Sequence, residues 1–203
     1  MTTEVLFYHL ERQPLEAVLP TLIERAVERG WRTVIQIGDA ERVQALSRLF
    51  KYELQFRADA TFETILTETL GAMTADGEIV LGDDTVSLAE PGEGRERALL
   101  HGNMVRNFVE GYRVAARGLA ALLKGPLAPK DLVKRAITAG ERMFLAGELE
   151  CREAVNRPVI ENAFLAFVDQ GYLGRHEGKY VLPESYATAG AVGTIEARIA
   201  AYL

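Results

Sequence analysis

The stretch from Lys130 to Leu182, KDLVKRAITAGERMFLAGELECREAVNRPVIENAFLAFVDQGYLGRHEGKYVL, decides the fold. Leu132, Val133, Ala136, Ile137, Met143 and Phe144 recur at helical spacings and make one apolar stripe, so a helix is predicted from about Asp131 to Ala146. Pro158 suits a first helical turn. Val159, Ile160, Ala163, Phe164, Phe167 and Val168 then share one face of a second helix that stops near Gly171. Tyr172–Arg175 and Lys179–Leu182 are short strand-like runs around His176-Glu177-Gly178, which reads as a hairpin turn. Helix, helix and hairpin in that order is a winged-helix-like unit. It is a shape for packing and recognition, and it displays no chemistry.

Outward from this unit, a long helix is expected from about Arg95 to Leu123, carrying Leu99, Leu100, Val105, Phe108, Val109, Tyr112, Ala116, Leu119, Leu122 and Leu123. Gly125-Pro126 marks its end. Ala89–Gly94 is a Pro/Gly/Glu linker and the expected flexible joint. Before it, Tyr52–Arg57 reads as a strand, and Thr61–Met73 as a helix with Phe62, Ile65, Leu66, Leu70 and Met73 inward. Glu78–Leu81 and Thr85–Leu88 pair across Gly82-Asp83-Asp84 as a hairpin. At the other end, Ala187–Gly193 reads as a small, mobile segment. Thr194–Leu203 reads as a last amphipathic helix with Ile195, Ile199, Tyr202 and Leu203 inward.

The first fifty residues form a βαβα pattern: strand Glu4–Tyr8, helix Pro14–Arg29 closed by Gly30, strand Thr33–Ile37, and a helix Ala40–Phe50 with Asp39 as N-cap. Two strands joined by a helix imply a parallel pair. The expected fold class is therefore α+β and helix-rich, a short N-terminal βαβα unit followed by helices with two small β-hairpins. Three segments are anticipated, 1–50, 51–90 and 91–203.

Bulk properties narrow the function classes. A net charge of −6 argues against a dedicated nucleic-acid binder, whose affinity rests on neutralising phosphates. The lone Cys151 excludes an internal disulfide and fits a reducing compartment. No run of 18 apolar residues spans a membrane, and the N-terminus lacks the basic-then-apolar pattern of a signal peptide. Cytoplasmic residence is the expectation.

Site by site, the residues offer little. Neither G-x-G-x-x-G nor G-x-x-x-x-G-K-[ST] occurs, so the βαβα pattern reads as scaffold without a nucleotide. Three scattered histidines and one cysteine lack the spacing of a metal site. Cys151 follows Glu148-Leu149-Glu150, acids that raise a thiol pKa, and reads as a spare thiol. Glu148, Glu150 and Glu153 read as a solvated rim. The helix Pro158–Gln170, in the recognition position of a winged helix, has no Lys or Arg and carries Glu161 and Asp169. Arg175, His176 and Lys179 on the wing do not reverse that balance. The expected inventory is no catalytic, no cofactor-binding and no metal-binding residue.

Two resemblances stand beside this reading. Residues 1–46, in Glu4-Val5-Leu6-Phe7-Tyr8-His9-Leu10-Glu11-Arg12, the helix from Pro14 and Gly30-Trp31-Arg32-Thr33-Val34, resemble the start of the chi subunit of bacterial DNA polymerase III. That subunit is non-catalytic and links the clamp loader to single-stranded-DNA-binding protein. Residues 46–203 resemble the C-terminal region of the glycerol-3-phosphate acyltransferase family. The likeness lies in Leu46-Ser47-Arg48-Leu49-Phe50-Lys51-Tyr52, Phe56-Arg57-Ala58-Asp59-Ala60-Thr61-Phe62, Asn107-Phe108-Val109-Glu110-Gly111-Tyr112-Arg113, Gly140-Glu141-Arg142-Met143 and Glu161-Asn162-Ala163.

In that family this region accompanies the acyltransferase domain without carrying its catalytic residues. The resemblance thus implies a non-catalytic packing or partner-binding module related to phospholipid synthesis. Its partner would be an acyltransferase domain, with peripheral membrane contact through that partner. The family's reaction uses a His-x-x-x-x-Asp motif, in which histidine deprotonates the acceptor hydroxyl and aspartate orients it. Five residues after His9, His101 and His176 stand Pro14, Arg106 and Val181, so no histidine has its aspartate. The alternative expectation is a replication adaptor like chi, partnered by single-stranded-DNA-binding protein or the clamp loader. Direct nucleic-acid contact is expected in neither case.

Overall fold

A computed structural model describes residues 39–203 apart from 56, 83 and 84. The chain divides into two compact units, Met1–Glu41 and Arg42–Leu203, and apart from the first residues of α1 every described element belongs to the second. Of the expected βαβα pattern only the last helix falls among the described residues; the rest lies outside them.

The described elements are α1 (Asp39–Leu49), α2 (Phe62–Ala75), β1 (Ile79–Leu81), β2 (Val86–Leu88), α3 (Glu93–Gly118), α4 (Pro129–Leu145), α5 (Arg157–Asp169), β3 (Gly174–His176), β4 (Lys179–Val181) and α6 (Ala189–Ala200). Short 3-10 turns cover Leu119–Lys124, Arg152–Ala154 and Glu184–Tyr186. The described residues form a helix-rich α+β fold with two antiparallel two-stranded sheets, as their apolar periodicities predict.

Helix α3 is the axis. Its second half, from Val109 to Gly118, is almost wholly buried, and α4, α5 and α6 all pack against it. Tyr112, Val114 and Ala115 have no exposed surface. The α3–α4 crossing is set by small residues on both sides. A Cβ on Gly118 would stand 2.7 Å from the Ala136 Cβ, and one on Gly140 would stand 2.7 Å from Val114 Cγ1. Residues 114 and 118 are one turn apart, as are 136 and 140, so each helix lends the other a notch. The expected helix Arg95–Leu123 thus ends as α-helix at Gly118, and Leu119–Lys124 tightens into a 3-10 turn before Gly125.

Helix α4 starts with Pro129 in its first turn and buries Leu132, Val133, Ala136, Gly140 and Met143. Helix α5 is capped by Asn156, whose side chain accepts the Val159 N–H at 3.0 Å. It buries Val159, Ile160, Ala163, Phe164, Ala166 and Phe167. Phe50, Tyr112 and Phe167 stack edge-to-face through the core, with centroids 5.0 and 6.0 Å apart. The β3–β4 hairpin pairs Arg175 with Tyr180. Its turn is only Glu177-Gly178, both at positive φ, the geometry that suits a right-twisted hairpin. His176 therefore belongs to the strand rather than the turn. Tyr180 lies buried against Phe164, centroids 5.7 Å apart, and its backbone pairs with Leu127 ahead of α4.

Several expectations are corrected. Among the described residues of Tyr52–Arg57 there is no strand: after Phe50, which is 1% exposed, the chain turns, the Glu53 and Leu54 N–H groups both donating to the Phe50 carbonyl. Most of Ala187–Gly193 is helical, because Thr188 accepts the Ala191 N–H at 3.2 Å and starts α6 at Ala189. Ile195 and Ile199 are buried as expected, Tyr202 is half-buried, and Leu203 is exposed. The anticipated face of α2, Phe62, Ile65, Leu66, Leu70 and Met73, is the one turned from solvent, yet it is only half-buried and α2 buries no residue fully. The residues Ala89–Gly94 form a tight turn into α3, the Ala89 N–H donating to the Glu78 carbonyl and the Arg95 guanidinium to the Ala89 carbonyl.

Candidate functional site

Titratable groups concentrate where α3 meets the loop after α4 and the last helix. Glu110, one turn before the buried Val114, is itself 2% exposed. Its two carboxylate oxygens accept the backbone N–H groups of Glu150 at 3.0 Å and Cys151 at 2.8 Å. Both of its oxygens are thus used on chain that has no regular structure of its own, which is how a buried carboxylate is tolerated.

One and two turns later stand Arg113 and Arg117. Arg113 donates to Glu196 at 3.1 Å and to the Glu148 carbonyl at 2.7 Å; Arg117 donates to Glu148 at 2.8 Å and to Glu196. The four side chains tie α3, the 146–156 loop and α6 together. Side chains of Arg113 and Glu196 are only 18% and 16% exposed, so the pairing is more shielded than a surface bridge. Burial by itself would push the Glu196 carboxyl up, but hydrogen bonds and charge from Arg117 and Arg113 bring it below the usual range. Arg117 is correspondingly raised, mainly by Glu196.

Glu148 and Glu150 are exposed, in keeping with a solvated rim, and are also paired: the first clasps both arginines and the second meets Arg106. Glu153 is exposed, and its carbonyl accepts the Asn156 side chain. Cys151 is half-buried with a raised pKa, as the sequence suggests, though the cause differs. Burial comes first and Glu110 second, while the neighbouring Glu150 contributes least.

Of the histidines, His101 approaches a carboxylate through the fold, its Nδ1 lying 3.4 Å from Glu78 Oε2. The Glu78 side chain is 5% exposed, but His101 is 55% exposed on the outer side of α3, open to water and without an apolar enclosure. Arg97 approaches the same carboxylate at 3.6 Å. His176 stands on the exposed hairpin, 3.9 Å from its neighbour Glu177. Among the described residues no three His, Cys, Asp or Glu side chains gather as metal ligands. Helix α5 begins one residue early, at Arg157, whose guanidinium pairs with Glu161. Its far end is covered by Tyr52 and Lys51, both bound to Asp169.

Glu110, Arg113, Arg117 and Glu196 were not singled out by sequence. The signal available was Glu110, an acid on the otherwise apolar inward stripe of its helix; the arginines and Glu196 meet only through tertiary packing.

Residues 11–176 match the glycerol-3-phosphate acyltransferase C-terminal region, and the chain belongs to that family. The match begins at residue 11 rather than near Leu46, so it takes in most of the stretch whose wording resembles chi, and that likeness finds no such match. No curated protein matches the chain. No helix among the described residues is long and apolar enough to cross a membrane.

Proposed function

We propose that this chain is a non-catalytic accessory module that packs against the acyltransferase domain of a glycerol-3-phosphate acyltransferase and supports it. The observation that carries this reading is an apolar surface, uncovered among the described residues, on a member of that family. Leu99, Leu100 and Met104 on the first half of α3 are 47, 58 and 66% exposed, and Val80, Leu81, Val86 and Leu88 of the first hairpin are also bare. Helix α2, which packs on that hairpin, buries no residue completely. Bare aliphatic side chains on neighbouring elements are the usual mark of an interaction surface.

The reading is tested by co-expression of the chain with the isolated acyltransferase domain of such an enzyme. The expected result is co-purification and a raised melting temperature of that domain, both lost with Leu100→Glu/Met104→Glu. Acyl transfer from acyl-CoA to glycerol 3-phosphate by the chain alone is expected to be absent. Turnover abolished by His101→Ala would overturn the non-catalytic reading. Capture of single-stranded-DNA-binding protein in place of the acyltransferase domain would favour the replication-adaptor reading, which rests on the wording of residues 1–46.

A further inference from the structure

Between the end of α3 and the outer face of α4 lies a groove of about 670 Å³. Four cations line it, Arg117, Lys134, Arg135 and Arg142, against one acid, Asp131. In a chain of net charge −6 this is an inversion of the local balance. Arg117 is already held in place by Glu148 and Glu196. Lys134, Arg135 and Arg142 are exposed, and their side chains have no hydrogen-bond or ion-pair partner among the described residues.

The backbone explains why the cations are so close. Gly118 admits α4 to within touching distance at Ala136, which brings the last turn of α3 beside the turns bearing Lys134 and Arg135. Arg135, Thr138 and Arg142 follow Asp131 at helical spacing and share its face. Unpartnered cations crowded in a groove raise the local potential and concentrate anions there.

We propose that this groove binds a phosphate group, borne either by an anionic lipid headgroup or by a small phosphate ester in solution. Guanidinium and ammonium donors from two helices match the several oxygens of a phosphate better than the two of a carboxylate. From Lys134 to Arg142 the basic track is only about 12 Å long at a helical rise of 1.5 Å per residue. A track that short suits a single phosphate rather than the repeating charges of a polymeric anion. The site does not depend on the accessory role proposed above, since it uses a different face.

The test uses the full chain at low ionic strength. One arm measures flotation with vesicles of phosphatidylglycerol and phosphatidylcholine against vesicles of phosphatidylcholine alone. The other measures binding of inorganic phosphate and of glycerol 3-phosphate by calorimetry. Lys134→Ser/Arg135→Ser/Arg142→Ser is compared with Arg48→Ser/Arg152→Ser/Lys179→Ser, which removes equal charge from exposed sites elsewhere. Each variant is checked by thermal melting, and Arg135→Ser alone replaces the first if it melts early.

Binding in either arm that falls at least tenfold in the groove variant and less than twofold in the control supports the site, and the responding arm identifies the source of the phosphate. Binding in neither arm, or equal losses in both variants, overturns it. Loss of the acyltransferase-domain interaction with phosphate binding intact would sink the accessory role and leave this site standing.

Discussion

The Glu110 carboxylate accepts the Cys151 N–H at 2.8 Å, and the residue that provides this bond is 2% exposed. An acid in the core thus serves as the anchor for a loop that would otherwise leave backbone donors unsatisfied, since the same carboxylate takes the Glu150 N–H. Glu110→Ala should lower unfolding free energy by about 2–4 kcal/mol, from two buried donors left unpaired. Glu110→Gln, which keeps one acceptor, should lose roughly half as much. Urea denaturation of both variants checks this; equal stability of Glu110→Ala and wild type would refute the anchoring role.

Helix spacing gives a second prediction. Gly118→Ala places a methyl 3.0 Å from the Ala136 Cα, a backbone atom that cannot swing aside. The variant should be destabilised by about 1–3 kcal/mol despite the better helix propensity of alanine. Gly102→Ala, on the same helix with nothing within 4 Å, should gain about 0.5–1 kcal/mol. Thermal melts of the two variants should move in opposite directions.

Two glutamates predict opposite responses to pH. Glu196 lies below the ordinary value of 4.5, so its contribution is present above that value and disappears as pH falls through the folded one. Glu53 is raised, burial outweighing its contacts with Asn162 and Tyr112. The folded state therefore holds that proton more tightly, and the stability is full below 4.5 and lost as pH rises through the folded value. Melting temperature measured from pH 3 to 7 should show Glu196→Gln losing stability at pH 7 and flattening the acid limb. Glu53→Gln should gain stability at pH 7 instead.

The Cys151 thiol is raised first by burial and then by Glu110, so alkylation at pH 7.5 should be slower than for a free cysteine. Denaturation should restore the ordinary rate. The rate of iodoacetamide labelling, followed by mass spectrometry, measures both.

Much of the fold was legible because its helices bury one clean face. Leu132, Val133, Ala136 and Met143 predict α4, and Val159, Ile160, Ala163, Phe164 and Phe167 predict α5, with bounds close to those found. The run Tyr52–Arg57 misleads because β-propensity has nothing to pair with there, while Phe50 fixes the chain in the core just before it. Ala187–Gly193 looks mobile by composition, yet the Thr188 cap starts a helix that the buried Ile195 and Ile199 hold down. The ionic cluster and the basic groove were less legible. Arg117 and Glu196 are distant in sequence, and Lys134, Arg135 and Arg142 on a single helix look like an ordinary wet face until α3 closes beside them.

Helix α6 begins after residue 176, where the family match stops, yet it plugs Val192, Ile195 and Ile199 into the flank of α3 and clamps two arginines through Glu196. Homology limits and the cooperative folding unit therefore differ on this chain. A fragment trimmed to the shared region would lack one wall of its own core, and the helix left uncovered would offer a greasy strip to any neighbour, its own copies included.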